Sequence, residues 1–192
     1  FDIGANVGLY SIMASKLMNI KTYSFEPDLM NARILYENII KNNISNLVTI
    51  LPFALADYDY CADLYLKTLS YGDALHNLDN KNQNIENDHE AKVSIPAFSI
   101  DTIISILNLD KPTKVKIDVD GIEIRILKGA KNALRTVDEI IVEWSRSNKD
   151  STEILKYLES LGFMLVWESK PHNTYLDTVN AFFKKEKNEK RI

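Results

Sequence analysis

The chain opens on Phe1-Asp2-Ile3-Gly4-Ala5-Asn6-Val7-Gly8, and no other stretch restricts the fold as strongly. Apolar residues carry an acid to the end of what reads as a strand, and two glycines then flank a tight turn. Leu9, Ile12, Met13 and Leu17 follow at helical spacing, so Leu9 to Leu17 is expected to be a helix with those four on its buried face. Strand, glycine turn and helix is how α/β proteins bring backbone N–H groups up to a small anionic ligand. Eighteen residues past Gly8 lies Glu26, at the tip of a second strand, Thr22-Tyr23-Ser24-Phe25, and followed by Pro27. One carboxylate there can accept hydrogen bonds from two neighbouring ribose hydroxyls. The two signals together point to a nucleoside cofactor.

A dinucleotide fold asks for G-x-G-x-x-G, whose glycines admit a pyrophosphate to the helix N-terminus. Here the turn reads Gly4-Ala5-Asn6-Val7-Gly8, so Asn6 replaces the middle glycine and Tyr10 stands near the third position. Asp2, just before the turn, would sit badly beside a pyrophosphate. It suits a cationic ligand such as the ammonium group of S-adenosylmethionine, whose carboxylate can take the helix N-terminal N–H groups. S-adenosylmethionine is therefore the expected cofactor.

Length and charge narrow the class further. A chain of 192 residues fits one domain with a full core, so residues 1–192 are expected to form a single domain. A net charge of −4 with no basic stripe argues against a nucleic-acid partner. The longest apolar runs fall far short of a membrane span. Cys61 is the single cysteine, which excludes an internal disulfide and fits a reducing, cytoplasmic compartment. His76, His89 and His172 share no ligand-like spacing, so no zinc site is expected. The chain begins with Phe inside its first strand and reads as a fragment whose N-terminus lies further upstream, which leaves a targeting segment open.

Downstream, Asp28 to Asn42 reads as a helix with Pro27 at its mouth and Leu29, Ala32, Tyr36, Ile39 and Ile40 as its stripe. Leu47 to Leu51 is a short third strand running into Pro52-Phe53-Ala54-Leu55-Ala56-Asp57, a loop placed to lie beside an adenine. Cys61 to Lys67 has strand character and a partner in Lys92 to Ile95. Between them, Ser70 to Ala91 is polar and long enough to be a lid over a site or a solvated insertion, with Tyr71, Asp73 and His76 its notable side chains. A helix from about Ser99 to Leu109 precedes a fourth strand, Lys114 to Val119. Ile122 to Leu134 reads as one helix, Glu139 to Trp144 as a fifth strand, and Asp150 to Leu161 as a helix capped by Asp150 or Ser151 and stopped by Gly162. Met164 to Trp167 and Val179 to Phe183 are too closely spaced for a helical crossover and should pair antiparallel. Residues 184–192 form a charged tail. Strand and helix alternate throughout, so the fold class is α/β: a Rossmann-like, doubly wound, mostly parallel seven-stranded sheet with an antiparallel last strand.

Asp2, Glu26, Asp118 and Glu143 all fall at or near the carboxyl ends of strands, the edge where open α/β sheets bind ligands. Half-buried acids are costly unless a cation or donor meets them, and a bound cofactor would supply one. Asp118-Val119-Asp120-Gly121-Ile122-Glu123 is too short for a calcium loop. A magnesium site between Asp118 and Glu143 is chemically open, but no spacing demands it, and no metal is expected.

Taken together, Asp2-Ile3-Gly4-Ala5-Asn6-Val7-Gly8, Phe25-Glu26-Pro27, Lys116 to Glu123, Leu127-Lys128-Gly129-Ala130 and Ile141-Val142-Glu143 resemble the FkbM-type methyltransferases over Phe1 to about Trp144. Asp120 stands where that family usually has Glu, a charge-preserving departure. The resemblance implies a class I S-adenosylmethionine-dependent methyltransferase, typically an O-methyltransferase of sugars or natural products that works beside polysaccharide-building enzymes. By position it puts Asp2, Gly4, Asn6 and Gly8 at the methionine end of the cofactor, Glu26 and Pro27 at the ribose, and Ala54 and Asp57 beside the adenine. A sugar hydroxyl is a weak nucleophile and gains from a general base. Asp118 is the first candidate and Glu143 the second, and either could instead hold the cofactor's ammonium group. Lys116 and Glu123 are expected to set the geometry of the strand end, as an ion pair. Two other classes stay in play. An NAD-linked oxidoreductase or epimerase would want a Tyr-x-x-x-Lys relay, which Tyr36 and Lys41 do not form. A non-catalytic binding module would be expected to lose the cofactor acids, yet Asp2 and Glu26 are present.

Overall fold

A sheet built from strand–helix–strand units needs apolar side chains on both faces, and residues along each strand alternate between them. The computed structural model describes residues 1–68, 72, 77–78, 89–147, 149–171 and 177–186. β1 (Asp2–Ile3) leads to α1 (Leu9–Ile12), which continues as a wider π-helical turn over Met13–Leu17. β2 (Thr22–Phe25), α2 (Leu29–Lys41), β3 (Val48–Leu51) and β4 (Ala54–Leu55) come next, then β5 (Tyr60–Leu66), β6 (Asn77–Leu78) and β7 (Ala91–Phe98). The second half runs α3 (Ile100–Leu107), β8 (Lys114–Ile117), α4 (Glu123–Lys128), a 3₁₀ turn (Ala133–Arg135), β9 (Glu139–Ser145), α5 (Lys149–Ser160), β10 (Phe163–Glu168) and β11 (Thr178–Lys185).

The main sheet has seven strands in the order β10-β11-β9-β8-β1-β2-β3. β1 pairs in parallel with β2 on one side and β8 on the other, while β11 runs antiparallel to both β9 and β10. The doubly wound sheet with a reversed last strand is the one its sequence implies. From β1 the chain builds outward through β2 and β3, then crosses back to β8, so the strand order reverses at β1 and opens a crevice at the carboxyl ends of β1 and β8. On one face Ile3, Phe25, Ile117 and Val142 pack with Ile103 of α3, Leu127 of α4 and Leu158 of α5. On the other, Ala5 and Val48 pack with Leu35 and Ile39 of α2.

Three local expectations are corrected. Of the apolar stripe of the first helix, Ile12 packs against the core but the rest does not: Leu17 is 74% exposed and Leu9 and Met13 are exposed too, whereas Ser11 is wholly buried. The reason is polar docking. Ser11 donates to Asp2 at 2.5 Å and meets the Ser24 hydroxyl at 2.7 Å, and Ser15 meets the Thr22 hydroxyl at 3.0 Å, so the helix sits on β1 and β2 through hydroxyls. In α2, Leu35 takes the buried place, while Leu29, Tyr36 and Ile40 face out. The single helix expected over Ile122 to Leu134 breaks after Lys128, where a Cβ on Gly129 would collide with the carbonyl oxygen of Ala56.

A second, four-stranded sheet in the order β4-β7-β5-β6 has no counterpart in the sequence reading beyond the β5–β7 pairing. Leu78, inside the polar 70–91 stretch, is buried and pairs with Leu64 of β5. Tyr71, Asp73 and His76 lie outside the described residues, as does the tail beyond residue 186.

Two glycines fix how the layers meet. A Cβ on Gly4 would run into the backbone carbonyl of Asp118, and Gly4 also has a φ of +75°. Gly129→Ala should destabilise by about 1–3 kcal/mol through overpacking. Gly4→Ala should cost more, by about a further 1–2 kcal/mol for the left-handed backbone. Urea denaturation checks both values and their order.

Candidate active site

The crevice at the switch point divides across the sheet, because neighbouring residues on β1 point to opposite faces. On one side a cavity of about 90 Å³ is lined by Gly4, Asn6, Glu26, Pro27 and Asn31, with Phe53, Ala54, Leu55, Val119, Ile122 and Ile126 as apolar walls. Asp118 and Asp120 close its rim. Glu26 is only 5% exposed. Its two carboxylate oxygens accept the backbone N–H groups of Asn6 at 2.7 Å and Asp28 at 2.9 Å. Those bonds tie the glycine turn to the entry of α2 and hold the carboxylate at the cavity wall. Asp28 in turn caps α2 by accepting the Met30 N–H at 2.9 Å.

The other side is built on side chains that alternate away from the main core. Asp2 is in register with Ser24 of β2 and Lys116 of β8. It is buried, with Oδ2 bonded to Ser11 and Oδ1 lacking a hydrogen-bond partner among the described residues. Lys116 places Nζ 2.6 Å from Oδ2 of Asp118 and 4.3 Å from the centre of the Tyr10 ring. Glu143, on β9, is hydrogen-bonded to Asp118 and pushed up to about 7, first by burial and then by the Asp118 charge, with Lys116 pulling the other way. Asp118 and Glu143, the two acids expected to act as base, are thus brought into one hydrogen-bonded pair.

Not every expected residue reaches the cavity. Asp57 turns away from it and forms an ion pair with Arg125 at 2.8 Å, an arrangement Arg125 shares with the Tyr60 hydroxyl at 3.1 Å. Asp2 sits on the opposite face, and Gly8 packs against Leu35. Lys116 and Glu123 do not pair with each other. Lys116 binds Asp118, and Glu123, 6% exposed at the start of α4, accepts the Gly121 N–H at 3.2 Å. The pattern of alternation could have shown the Lys116–Asp118 contact, since residues two apart on a strand share a face. Nothing in the sequence marks Asn31, Leu64 or Leu78 as cavity-lining.

The cavity's donor set fits a nucleoside: a buried carboxylate beside an apolar slot suits a ribose and a flat base. On the opposite face, Asp2 keeps a buried oxygen without a donor among the described residues. Among the described residues, no group of three His, Cys, Asp or Glu side chains is placed to hold a metal ion. Likewise, no helix among them is long and apolar enough to cross a membrane.

An open parallel sheet with its last strand reversed, and a buried acid at the tip of its second strand, define the Rossmann-like methyltransferase class of α/β fold. A family model for the methyltransferase FkbM domain matches residues 2–165, and the chain belongs to that family. It is 24% identical over 159 residues to the hexuronic acid methyltransferase AglP of Haloferax volcanii, covering 82% of this chain and 60% of that protein. Methyltransferase 1 of Beauveria bassiana is 24% identical over 181 residues, covering 87% of this chain and 72% of its own. Among solved structures, the FkbM methyltransferase of Methylobacillus flagellatus KT superposes with a TM-score of 0.64 at 19% identity over 94% of this chain and 42% of that one. TrmK of M. capricolum, solved with S-adenosyl-homocysteine, does so with a TM-score of 0.55 at 14% identity over 97% and 61%. The chain therefore spans 60% of the length of its Haloferax relative.

Burial also raises the Glu123 carboxyl, to about 8, helped by the nearby charges of Asp120 and Asp150. Glu123 and Glu143 thus bind protons more tightly folded than unfolded. Their stabilisation is complete below the unfolded value near 4.5 and is lost as pH rises through about 7 and 8. Thermal melts should therefore show Tm falling between pH 5.5 and pH 8.5, and Glu123→Gln should flatten the upper part of that fall.

Proposed function

We propose that this chain is an S-adenosylmethionine-dependent methyltransferase domain that methylates a hydroxyl of a sugar, in a glycan or natural product. The observation that carries the reading is the buried Glu26 carboxylate at the tip of β2, facing the apolar slot of Phe53, Ala54 and Leu55. Family membership and the Haloferax relative, itself named as a hexuronic acid methyltransferase, support the reaction and the acceptor class. The net charge of −4 supports a small or glycan acceptor over nucleic acid, and the single cysteine supports a cytoplasmic setting.

In this reading Glu26 accepts the two ribose hydroxyls with the lone pairs its backbone donors leave, and Pro27 lies beside it. Phe53, Ala54 and Leu55 cover the base. The turn from Gly4 to Gly8 brings its backbone up to the amino-acid end, with the N–H groups of Gly4, Asn6 and Gly8 spent on Phe25, Glu26 and Ala5 in holding its shape, and Asp2 supplies negative charge from the far side of the sheet. Asp57, paired with Arg125, serves the loop below the base instead of touching it. When bound, S-adenosylmethionine supplies a methyl group already activated by a sulfonium. What remains for the chain is alignment, exclusion of water and removal of one proton. With the cofactor in place, the chain's own part would be to hold the acceptor hydroxyl in line with the methyl group and to take its proton onto the Asp118–Glu143 pair. Glu143 is the better base of the two, because a carboxyl held near neutrality takes a proton more readily than one anchored to a lysine.

Isothermal titration of S-adenosylmethionine and S-adenosylhomocysteine tests the cofactor. Micromolar binding is expected, and Glu26→Gln should weaken it about 10- to 100-fold, the loss of a charge-assisted hydrogen bond. Binding of NAD in place of both would overturn the reading. With a hexuronic-acid glycan as acceptor, kcat should rise with pH through about 7 as Glu143 ionises. Glu143→Gln should lower kcat by about 10²–10⁴-fold and abolish that limb.

A further inference from the structure

Lys116 is the one cationic side chain among the described residues that the fold buries, at 9% exposed. Lysine is almost never buried without a partner, and this one lies in mid-strand between Val115 and Ile117, both of which enter the main core. Alternation sends its side chain to the opposite face, the same face as Asp118 two residues on. Its methylene stem crosses that face beneath Tyr10 of α1, whose ring centre lies 4.3 Å from Nζ. A surface ion pair of this length would carry little weight. Here the lysine is buried and its partner, Oδ2 of the half-buried Asp118 at 2.6 Å, is the carboxylate that its ammonium is aimed at.

The groups around it come from every neighbouring element. Asp2 of β1 is in register with Lys116, Tyr10 of α1 lies above it, Asp118 extends its own strand, Glu143 comes from β9, and Asp120 from the loop after β8. The Asp118 charge bears directly on Glu143 and raises its carboxyl, so the two compete for a proton. Its position is decided by which carboxyl has the cation, and the cation touches Asp118.

We propose that Lys116 is a positioning residue for methyl transfer: its buried ammonium holds Asp118 as the carboxylate and leaves the shared proton on Glu143, the carboxyl that must release it and later take one from the acceptor. The proposal rests on the reading of this pair as the proton acceptor. Lys116 does not touch the acceptor; it works through Asp118. Without its charge Asp118 loses this ion pair, while the charges of Asp118 and Asp120 still press on Glu143. The pair then keeps its proton to higher pH.

The arrangement can be read without turnover. Carbon-detected NMR of the Glu143 carboxyl should give a titration midpoint that rises by about one pH unit or more in Lys116→Met, tenfold in proton affinity, and stays near the wild-type value in Lys116→Arg. The acid limb of kcat should move with it. In the wild-type protein the Nζ nitrogen of Lys116 should itself shift with the Glu143 midpoint, a measurement that needs no variant and decides the matter if Lys116→Met does not fold. A Glu143 midpoint indifferent to Lys116→Met, or a Lys116 nitrogen that ignores the titration of Glu143, would overturn the proposal even if methyl transfer proceeds. The expected midpoints without methylation of any sugar would instead overturn the functional reading and leave the role of Lys116 standing.

Discussion

The end of β1 approaches the end of β8 so closely that no side chain fits between them. Gly4 has the carbonyl of Asp118 where its Cβ would be, and the Asp118 N–H donates to the Ile3 carbonyl at 3.0 Å. On the other flank, the N–H groups of Gly4 and Ala5 both donate to the Phe25 carbonyl at 3.0 Å. Three strand ends are thereby locked at one point, and the functional groups follow from it. Glu26 comes immediately after Phe25, Asp118 immediately after Ile117, and the turn that carries Asn6 starts at Gly4. A sheet with looser ends would carry the same residues without bringing them to one crevice.

The two faces of that junction are chemically distinct. On the cavity side a lone buried carboxylate faces hydrocarbon and aromatic walls, an environment for something flat with hydroxyls at one edge. Behind it charge is concentrated: Asp2 and Lys116 lie on the far side, with Ser11 and Tyr10 over them, and Asp118, beside Glu143, stands where that row reaches the cavity rim. Pairing with Asp118 keeps the burial of Lys116 tolerable, as the Ser11 hydroxyl does that of Asp2. The row also explains why most of the α1 stripe faces out, since a helix lying over it must offer hydroxyls instead of leucines.

Much of this was legible in the sequence. The glycine turn, Glu26 at a strand tip and the β8 motif fixed the class of fold, because each needs a particular residue type at a particular backbone position. Asp118 and Glu143 are legible as acids near the carboxyl ends of their strands, but that they face one another follows from the register of β8 and β9, with Ile117 opposite Val142. The orientation of α1 is not legible either. Leu9, Ile12, Met13 and Leu17 form a sound apolar stripe, and only the tertiary hydrogen bonds of Ser11 and Ser15 show that most of it points outward. Nor is the ion pair of Asp57 legible, since its partner Arg125 lies 68 residues further along the chain. The small sheet escaped notice because β4 and β6 are two residues each, too short for any periodicity to register.

That small sheet shares the main core through Leu64, Leu66, Leu78, Ile95 and Ala97. Ala56, just past β4, lies against Gly129, and Asp57 meets Arg125. Among the described residues its strands pair with one another in a ladder separate from the seven-stranded sheet. Leu64 and Leu78, which wall the cavity, are therefore carried on one ladder, while Glu26, Asp118 and Glu143 belong with the strands of another. The two meet at the glycine turn: the Asn6 side-chain amide donates to the Gly72 carbonyl at 3.3 Å, and the Gly72 N–H donates to Asn31 at 2.8 Å. A change of length between β5 and β7 would thus be felt at the turn beside Glu26 as well as at the wall.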